Sequence, residues 1–141
     1  MCPLVTMRHE VEVRVRYFDT DQMGVANHIH YFRWFEMGRA ELLRDLGTGM
    51  KDIEETGARL VLAEVGCKYK EPSKYDDLLK VRTEIAELRP KVIRFQYTVW
   101  RDGTLLAEGF TVHVCTDGKG HSVEIPKIVL EKLMKSYSEK L

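Results

Sequence analysis

Residues 17–46 read YFDTDQMGVANHIHYFRWFEMGRAELLRDL, and this stretch decides the fold. Apolar residues follow one another at the helical period in its second half. They form one stripe, Tyr31, Phe35, Gly38, Leu42 and Leu46. Because Trp34 and Met37 widen this stripe, the helix is expected to be central and covered on more than one side. Glycine costs about 1 kcal/mol of helix propensity relative to alanine, so Gly38 indicates a close approach by a neighbouring element.

One cation, Arg39, falls within the apolar arc of this predicted helix. Its aliphatic stem is expected to pack on the core while its head reaches Glu36 or solvent. A buried functional cation is the alternative. Gly47 and Gly49 follow the last apolar residue of the stripe and are expected to end the helix.

The loop before the helix combines two carboxylates, Asp19 and Asp21, with Gly24 and two histidines, His28 and His30. A helix N-terminus offers unpaired N–H groups and a partial positive charge, which suit an anion or a polarised carbonyl. A carboxylate beside such a terminus suggests acyl chemistry. Turn capping is the better interpretation for Asp19, whereas a functional role is favoured for Asp21. For His28, catalysis or substrate orientation competes with a plain helix-terminal residue that donates to the backbone.

Other site classes fit this loop less well. A calcium loop would need oxygen ligands where Met23 and His30 stand. Asp21, His28 and His30 could bind zinc in principle, but two histidines two residues apart point to different sides of a helix, and no further ligand is evident. No serine or cysteine triad signature is present. The sequence therefore predicts no metal site.

Length and composition set broad limits. A chain of 141 residues is expected to form one domain, 1–141, with residues 1–7 poorly ordered. A net charge of zero argues against nucleic acid or an anionic membrane as the main partner. Three widely separated cysteines favour neither a disulfide framework nor a zinc knuckle. The first residues are too short for a signal peptide and no later run reaches transmembrane length, so a cytoplasmic location is expected.

The rest of the chain is mainly strand. Alternating apolar and polar residues predict strands at 11–17, 59–70, 79–85, 92–101 and 105–115. Turn residues at 89–90 and 102–103 predict hairpins, and therefore antiparallel pairing. A short helical turn is expected at 50–56, and Pro126 opens a C-terminal amphipathic helix. The simplest fold consistent with these elements is α+β: one strongly twisted, five-stranded antiparallel sheet that curls around the long helix.

The segment YFDTDQMGVANHIHYFRWFEMGR also resembles the motif of hotdog-fold acyl-CoA thioesterases of the 4-hydroxybenzoyl-CoA thioesterase and YbgC type. In that motif an aromatic strand end leads to D-x-D-x-x-G-x-x-x-x-x-x-Y and an aromatic, acidic helix. The likeness continues through CKYKEPSKYDDLLKV, ELRPKVIRFQYTV and LAEGFTVHVCTDGKGHSVEIP, so it covers nearly the whole chain in order. The resemblance implies the hotdog fold, a curved sheet wrapped around a long central helix.

The resemblance also implies a site. Asp21 matches the family's catalytic carboxylate, which acts as nucleophile or general base when a small or medium acyl-CoA is hydrolysed. His28 matches a position at the helix entrance, where a backbone N–H polarises the thioester carbonyl. Arg89 and Lys91 match positions that contact the CoA phosphates, although a solvated turn also explains them. No bound cofactor is implied.

An acyl-CoA is therefore the expected partner, and an acyl carrier protein thioester stays open. The resemblance implies a homodimer that extends the sheet, often paired again to a homotetramer, with each site built from two chains. Such pairing would also cover a sheet edge. Two other functions remain open: a non-catalytic hotdog module that binds an acyl thioester or a partner protein, and a hydroxyacyl-thioester dehydratase. Glu64 is either a second polar group at the site or a solvent-facing strand charge.

Overall fold

The structure is a computed structural model and describes residues 9–138. The expected disorder of residues 1–7 lies outside this range. The described chain forms β1 (His9–Arg14), a 3₁₀ turn (Tyr17–Asp19), α1 (Ile29–Asp45), α2 (Met50–Glu55), β2 (Arg59–Tyr69), β3 (Leu78–Leu88), β4 (Val92–Arg101), β5 (Thr104–Thr116) and α3 (Lys127–Ser138). None of these helices is long and apolar enough to cross a membrane.

The five strands form one antiparallel sheet in the order β1-β3-β4-β5-β2. The predicted hairpin between β4 and β5 is present, with Asp102 at φ 50° and Gly103 at φ 83°. Two successive positive φ angles define a type I′ turn, whose twist matches that of the flanking strands. Because β1 and β2 lie at opposite edges, the chain between them crosses the whole sheet, and α1 makes this crossing.

The core lies between α1 and the inner face of the sheet. Phe35 stacks on Tyr97, with ring centroids 4.4 Å apart. A Cβ added at Gly38 would meet Thr83 Oγ1 well inside van der Waals contact. The close approach predicted at this glycine is therefore confirmed. The buried residues of α1 are Tyr31, Trp34, Phe35, Gly38, Leu42 and Leu43.

The first strand is shorter than predicted. It ends at Arg14, and the 3₁₀ turn follows in place of an extended segment to residue 17. Tyr17, expected on the buried face, is 77% exposed. The Asp19 carboxylate accepts a hydrogen bond from the N–H of Arg16 at 2.9 Å, which favours the turn over further strand.

Strand β2 lies at an edge and exposes much of its apolar surface. Val61, Leu62 and Val65 are all exposed. The register with β5 shifts between Leu62 and Glu64, which marks a bulge. Glu64 itself is exposed, as expected for a solvent-facing strand charge.

Candidate active site

The loop before α1 is held by backbone hydrogen bonds. Asp21 N–H donates to Val25 O at 3.0 Å, and Gly24 N–H donates to Asp21 O at 2.9 Å. Gly24 has φ +80°, a left-handed conformation that glycine adopts without steric cost. Ala26 N–H donates to Ser73 O at 2.8 Å. These bonds attach the loop to the connection between β2 and β3 and fix the backbone of Asp21.

The Asp21 carboxylate is exposed within one chain. Its Oδ1 accepts a hydrogen bond from Met23 N–H at 2.8 Å, whereas Oδ2 has no hydrogen bond to any residue between 9 and 138. Turn capping thus accounts for one oxygen and leaves the other accessible. In a single protomer the carboxylate accepts no hydrogen bond from α1.

Asp19 has a different environment. Asp19 is only 2% exposed, and Arg33 Nη2 donates to its Oδ1 at 2.7 Å. His30 Nδ1 lies 3.5 Å from the same oxygen. Together with the bond from Arg16 N–H, these contacts give Asp19 a structural role. They also orient the His30 ring toward Asp19.

The first turn of α1 leaves one amide without an acceptor. Asn27 Oδ1 accepts from Ile29 N–H at 3.1 Å, and the carbonyl of Asn27 accepts from His30 N–H at 3.1 Å. Tyr31 N–H donates to His28 O at 3.1 Å. Within the described chain, no acceptor is seen for the N–H of His28 itself. One main-chain donor is therefore available at the helix entrance.

An aromatic wall stands beside this donor. The Tyr69 hydroxyl donates to His28 O at 3.3 Å, and the Tyr69 ring meets the Tyr31 ring edge-on at 5.1 Å. Tyr31 shares a hydrogen bond with Ser73 at 2.8 Å. Burial raises the pKa of Tyr69, so its hydroxyl stays protonated as a donor. The sequence gives no local signal for this contact, because it depends on the end of β2 reaching the entrance of α1.

Residues 15–133 match the thioesterase-like superfamily. The chain belongs to this superfamily. Membership confirms the resemblance to hotdog-fold thioesterases and, with the sheet and central helix, the predicted hotdog fold. At the level of the family, the chain is a thioester hydrolase, and acyl-CoA thioesterase activity is supported.

Individual relatives agree with this assignment. The acyl-CoA thioesterase YbgC of Haemophilus influenzae is 37% identical over 119 residues, covering 83% of this chain and 88% of the relative. A putative esterase of Aquifex aeolicus is 38% identical over 120 residues, covering 85% of this chain and 93% of the relative. The crystal structure of a hypothetical protein from Thermus thermophilus matches with a TM-score of 0.86 at 35% identity, covering 90% of this chain and 98% of that one.

Within one hotdog protomer, the basic turn between β3 and β4 is far from the Asp21 loop. Arg89 forms an ion pair with Glu87, and both Arg89 and Lys91 are exposed. The Asp21 loop instead meets the chain just before β3, through the bridge between Val25 and Lys74. The 11 residues of β3 separate the two regions by roughly 35 Å. A single protomer does not bring Arg89 and Lys91 to Asp21.

Proposed function

We propose that the chain hydrolyses acyl-CoA thioesters, with Asp21 as nucleophile or general base and the N–H of His28 polarising the thioester carbonyl. The observation that carries this proposal is the N–H of His28 at the entrance of α1, which has no acceptor within the described residues. The accessible carboxylate of Asp21 lies on the fixed loop just before it. Negative charge develops on the carbonyl oxygen in the transition state. One preorganised donor to such an oxygen contributes about 3 kcal/mol.

The reaction has two possible first steps. In one, Asp21 accepts a proton from water as the water oxygen bonds to the carbonyl carbon. In the other, the carboxylate attacks that carbon to form an anhydride, which water then opens. In both, the carbon–sulfur bond breaks, the CoA thiolate takes up the proton released by the attacking water and leaves as the thiol, and the acyl group is released as a free acid. Tyr69, backed by the buried ring of Tyr31, supplies an aromatic wall for a small or medium acyl group.

The complete site is proposed to need two chains. The outer edge of β2 has no strand partner in the described chain, and apolar side chains flank it. Two-fold antiparallel pairing of two β2 edges would extend the sheet and cover this surface. It would also turn the basic end of the partner toward the Asp21 end of the first chain. Arg89 and Lys91 of the partner subunit then become candidates for contacting the CoA phosphates.

A cytoplasmic location suits this chemistry. Cys67 and Cys115 are both free thiols, as expected in a reducing compartment. CoA is the proposed thiol of the substrate, with acyl carrier protein as the alternative. The homodimer is the proposed minimal assembly, and a homotetramer would pair two such dimers.

The test is Asp21→Asn, assayed by thiol release across a panel of acyl-CoAs. Asparagine keeps an oxygen that can accept from Met23 N–H, so the turn should persist, whereas the base and nucleophile are lost. The expected fall in kcat/KM is about 10²- to 10⁴-fold. Asp76→Asn is the matched control, because Asp76 is exposed at φ 72° and asparagine tolerates that conformation.

Other outcomes separate the alternatives. Unchanged turnover in Asp21→Asn would overturn the proposed role of this residue. Binding of acyl-CoA by the wild-type protein without thiol release would indicate a non-catalytic module. An enoyl product without released thiol, from a hydroxyacyl-CoA, would indicate a dehydratase.

A further inference from the structure

A cavity of about 320 Å³ opens beside the middle of α1. Its volume lies at the lower end of the range of small-molecule sites. Arg39, on its wall, is ten residues beyond the first residue of α1, which places it about 15 Å along the helix from the His28 region. Within one chain the cavity is therefore separate from the entrance of α1. Most of its wall is apolar and includes Val11, Met37, Ala40, Met50 and Leu60.

A chain of hydrogen bonds leads from this cavity into the core. Arg39 Nη1 donates to the Tyr97 hydroxyl at 3.1 Å. That hydroxyl lies 2.6 Å from Thr111 Oγ1, which lies 3.0 Å from His113 Nε2. Arginine can only donate, so the Tyr97 oxygen accepts from Arg39. Either hydroxyl of the Tyr97–Thr111 pair can donate, and the arrangement that gives both hydroxyl protons an acceptor within these four side chains directs the Tyr97 proton to Thr111. The Thr111 proton then goes to Nε2, and the neutral imidazole carries its own proton on Nδ1.

That last proton has no acceptor. His113 is 3% exposed, lines the cavity, and its Nδ1 has no hydrogen-bond partner among the described residues. Native proteins leave few buried donors unpaired, and such a group calls for an explanation. Burial, with a smaller contribution from the positive charge of Arg39, lowers the pKa of His113 to about 4. The ring is therefore an uncharged donor at neutral pH.

The positive charge of Arg39 is also without a carboxylate. No ion pair to Arg39 is seen within residues 9–138. Of the two acids at the cavity, Glu41 pairs with Arg44, and Glu36 is exposed. Arg39 is half-buried and thus lies beside a largely apolar space, and within the described residues it has no acidic partner.

We propose that this cavity binds a small carboxylic acid whose carboxylate pairs with Arg39, the cation at the outer end of this chain of hydrogen bonds. The hydrocarbon part of the acid packs on Met37, Ala40 and the apolar residues around them. An anion is favoured because Arg39 carries a full positive charge and has no acidic partner within the described residues. The site does not depend on the proposed hydrolysis, although the acid released by that reaction belongs to the same class.

Calorimetric titration of the full-length protein with hexanoate at pH 7 tests the ligand class. Hexanamide is the matched probe, because it keeps the chain length and lacks the charge. Hexanoate is expected to bind at least about tenfold more tightly than hexanamide, the difference that a charge-assisted hydrogen bond makes. Equal affinities, or no hexanoate binding, would overturn the proposal.

Three variants locate the site. Arg39→Met keeps the apolar stem but removes the charge, and Ala40→Leu fills the cavity with Arg39 intact; each is expected to weaken hexanoate binding at least about tenfold. Lys51→Met removes an exposed positive charge from the neighbouring helix and should leave binding unchanged. If thermal unfolding shows that Arg39→Met is not folded, Ala40→Leu decides the result. Binding that survives both Arg39→Met and Ala40→Leu would place the acid elsewhere and refute the inference.

Discussion

His113 gives this protein a pH-dependent stability that follows from burial of one side chain. In the unfolded chain its imidazole takes up a proton near pH 6.5, whereas in the folded chain the pKa is lowered to about 4. Between these values the unfolded state binds more protons than the folded state. The free energy of unfolding should therefore fall as the pH decreases from about 6.5 to 4, and this contribution should level off below 4. The slope reaches about 1.4 kcal/mol per pH unit for one such group.

Urea unfolding at pH 7, 6 and 5 measures this effect against His113→Gln. Glutamine stays neutral throughout, so the variant should lose less stability than the wild-type protein as the pH decreases. Other titrating groups contribute equally to both proteins and cancel in the difference. Parallel decreases in the two proteins would show that His113 takes up its proton normally in the folded state.

Individual side chains also show where sequence reasoning reached its limit. The turn role predicted for Asp19 is confirmed, but its pairing with Arg33, 14 positions later, depends on how the loop packs against α1. Arg39 was expected to reach Glu36 or solvent; it remains half-exposed, but no ion pair with Glu36 is seen within the described residues, and its Nη1 donates inward to the hydroxyl of Tyr97. Helical periodicity places a residue on a face but does not reveal which polar group lies opposite. The roles of Asp21 and His28 stay predictions.

Among the elements, the contact between α1 and β3 depends on one glycine. Gly38→Ala would gain about 1 kcal/mol of helix propensity but would press a methyl group against Thr83 Oγ1, with Val81 Cγ1 only 3.4 Å away. Overpacking of this kind costs about 1–3 kcal/mol, so a net loss of unfolding free energy is expected. Thermal and urea unfolding measure it, with Gly118→Ala, which has nothing within 4 Å, as the control.

A second substitution isolates the cause. Thr83 Oγ1 is buried without a hydrogen-bond partner in the described structure, so Thr83→Ala removes the obstacle without breaking a bond. The Gly38→Ala change should be less destabilising in the Thr83→Ala background than alone. Additive effects of the two substitutions would mean that the helix is displaced for another reason.

Most elements were predictable because their signals are local. The strand at 92–101 and the Asp102–Gly103 turn depend only on alternation and turn chemistry, and the structure confirms both. The end of β1 was missed because a side chain, Asp19, competes with the ladder for the backbone of Arg16. Pairing of β1 with β3 joins residues about 70 positions apart, as in His9 with Thr83, and no local pattern encodes it.

The whole molecule has two sheet edges, and they are unequal. β1 is six residues long, whereas β2 is 11 residues long and carries exposed apolar side chains. Long, apolar edges are liable to pair with other chains, so proteins shorten, charge or cover them. β2 carries a bulge and the exposed charge of Glu64, but it is long and uncovered within the described chain and leaves Val61, Leu62 and Val65 exposed, which makes it the expected contact between two chains.

Leu62→Lys tests this expectation, because Leu62 is 53% exposed on β2 and a lysine there would oppose edge-to-edge pairing. Light scattering should show a dimer for the wild-type protein and a shift toward monomer for the variant. Since each proposed site needs two chains, thiol release should fall with the dimer fraction and recover as protein concentration rises. Ile128→Lys, on the exposed surface of α3, is the control and should stay dimeric. A wild-type monomer would overturn the proposed dimer. A Leu62→Lys monomer with full turnover would show that one chain forms a complete site.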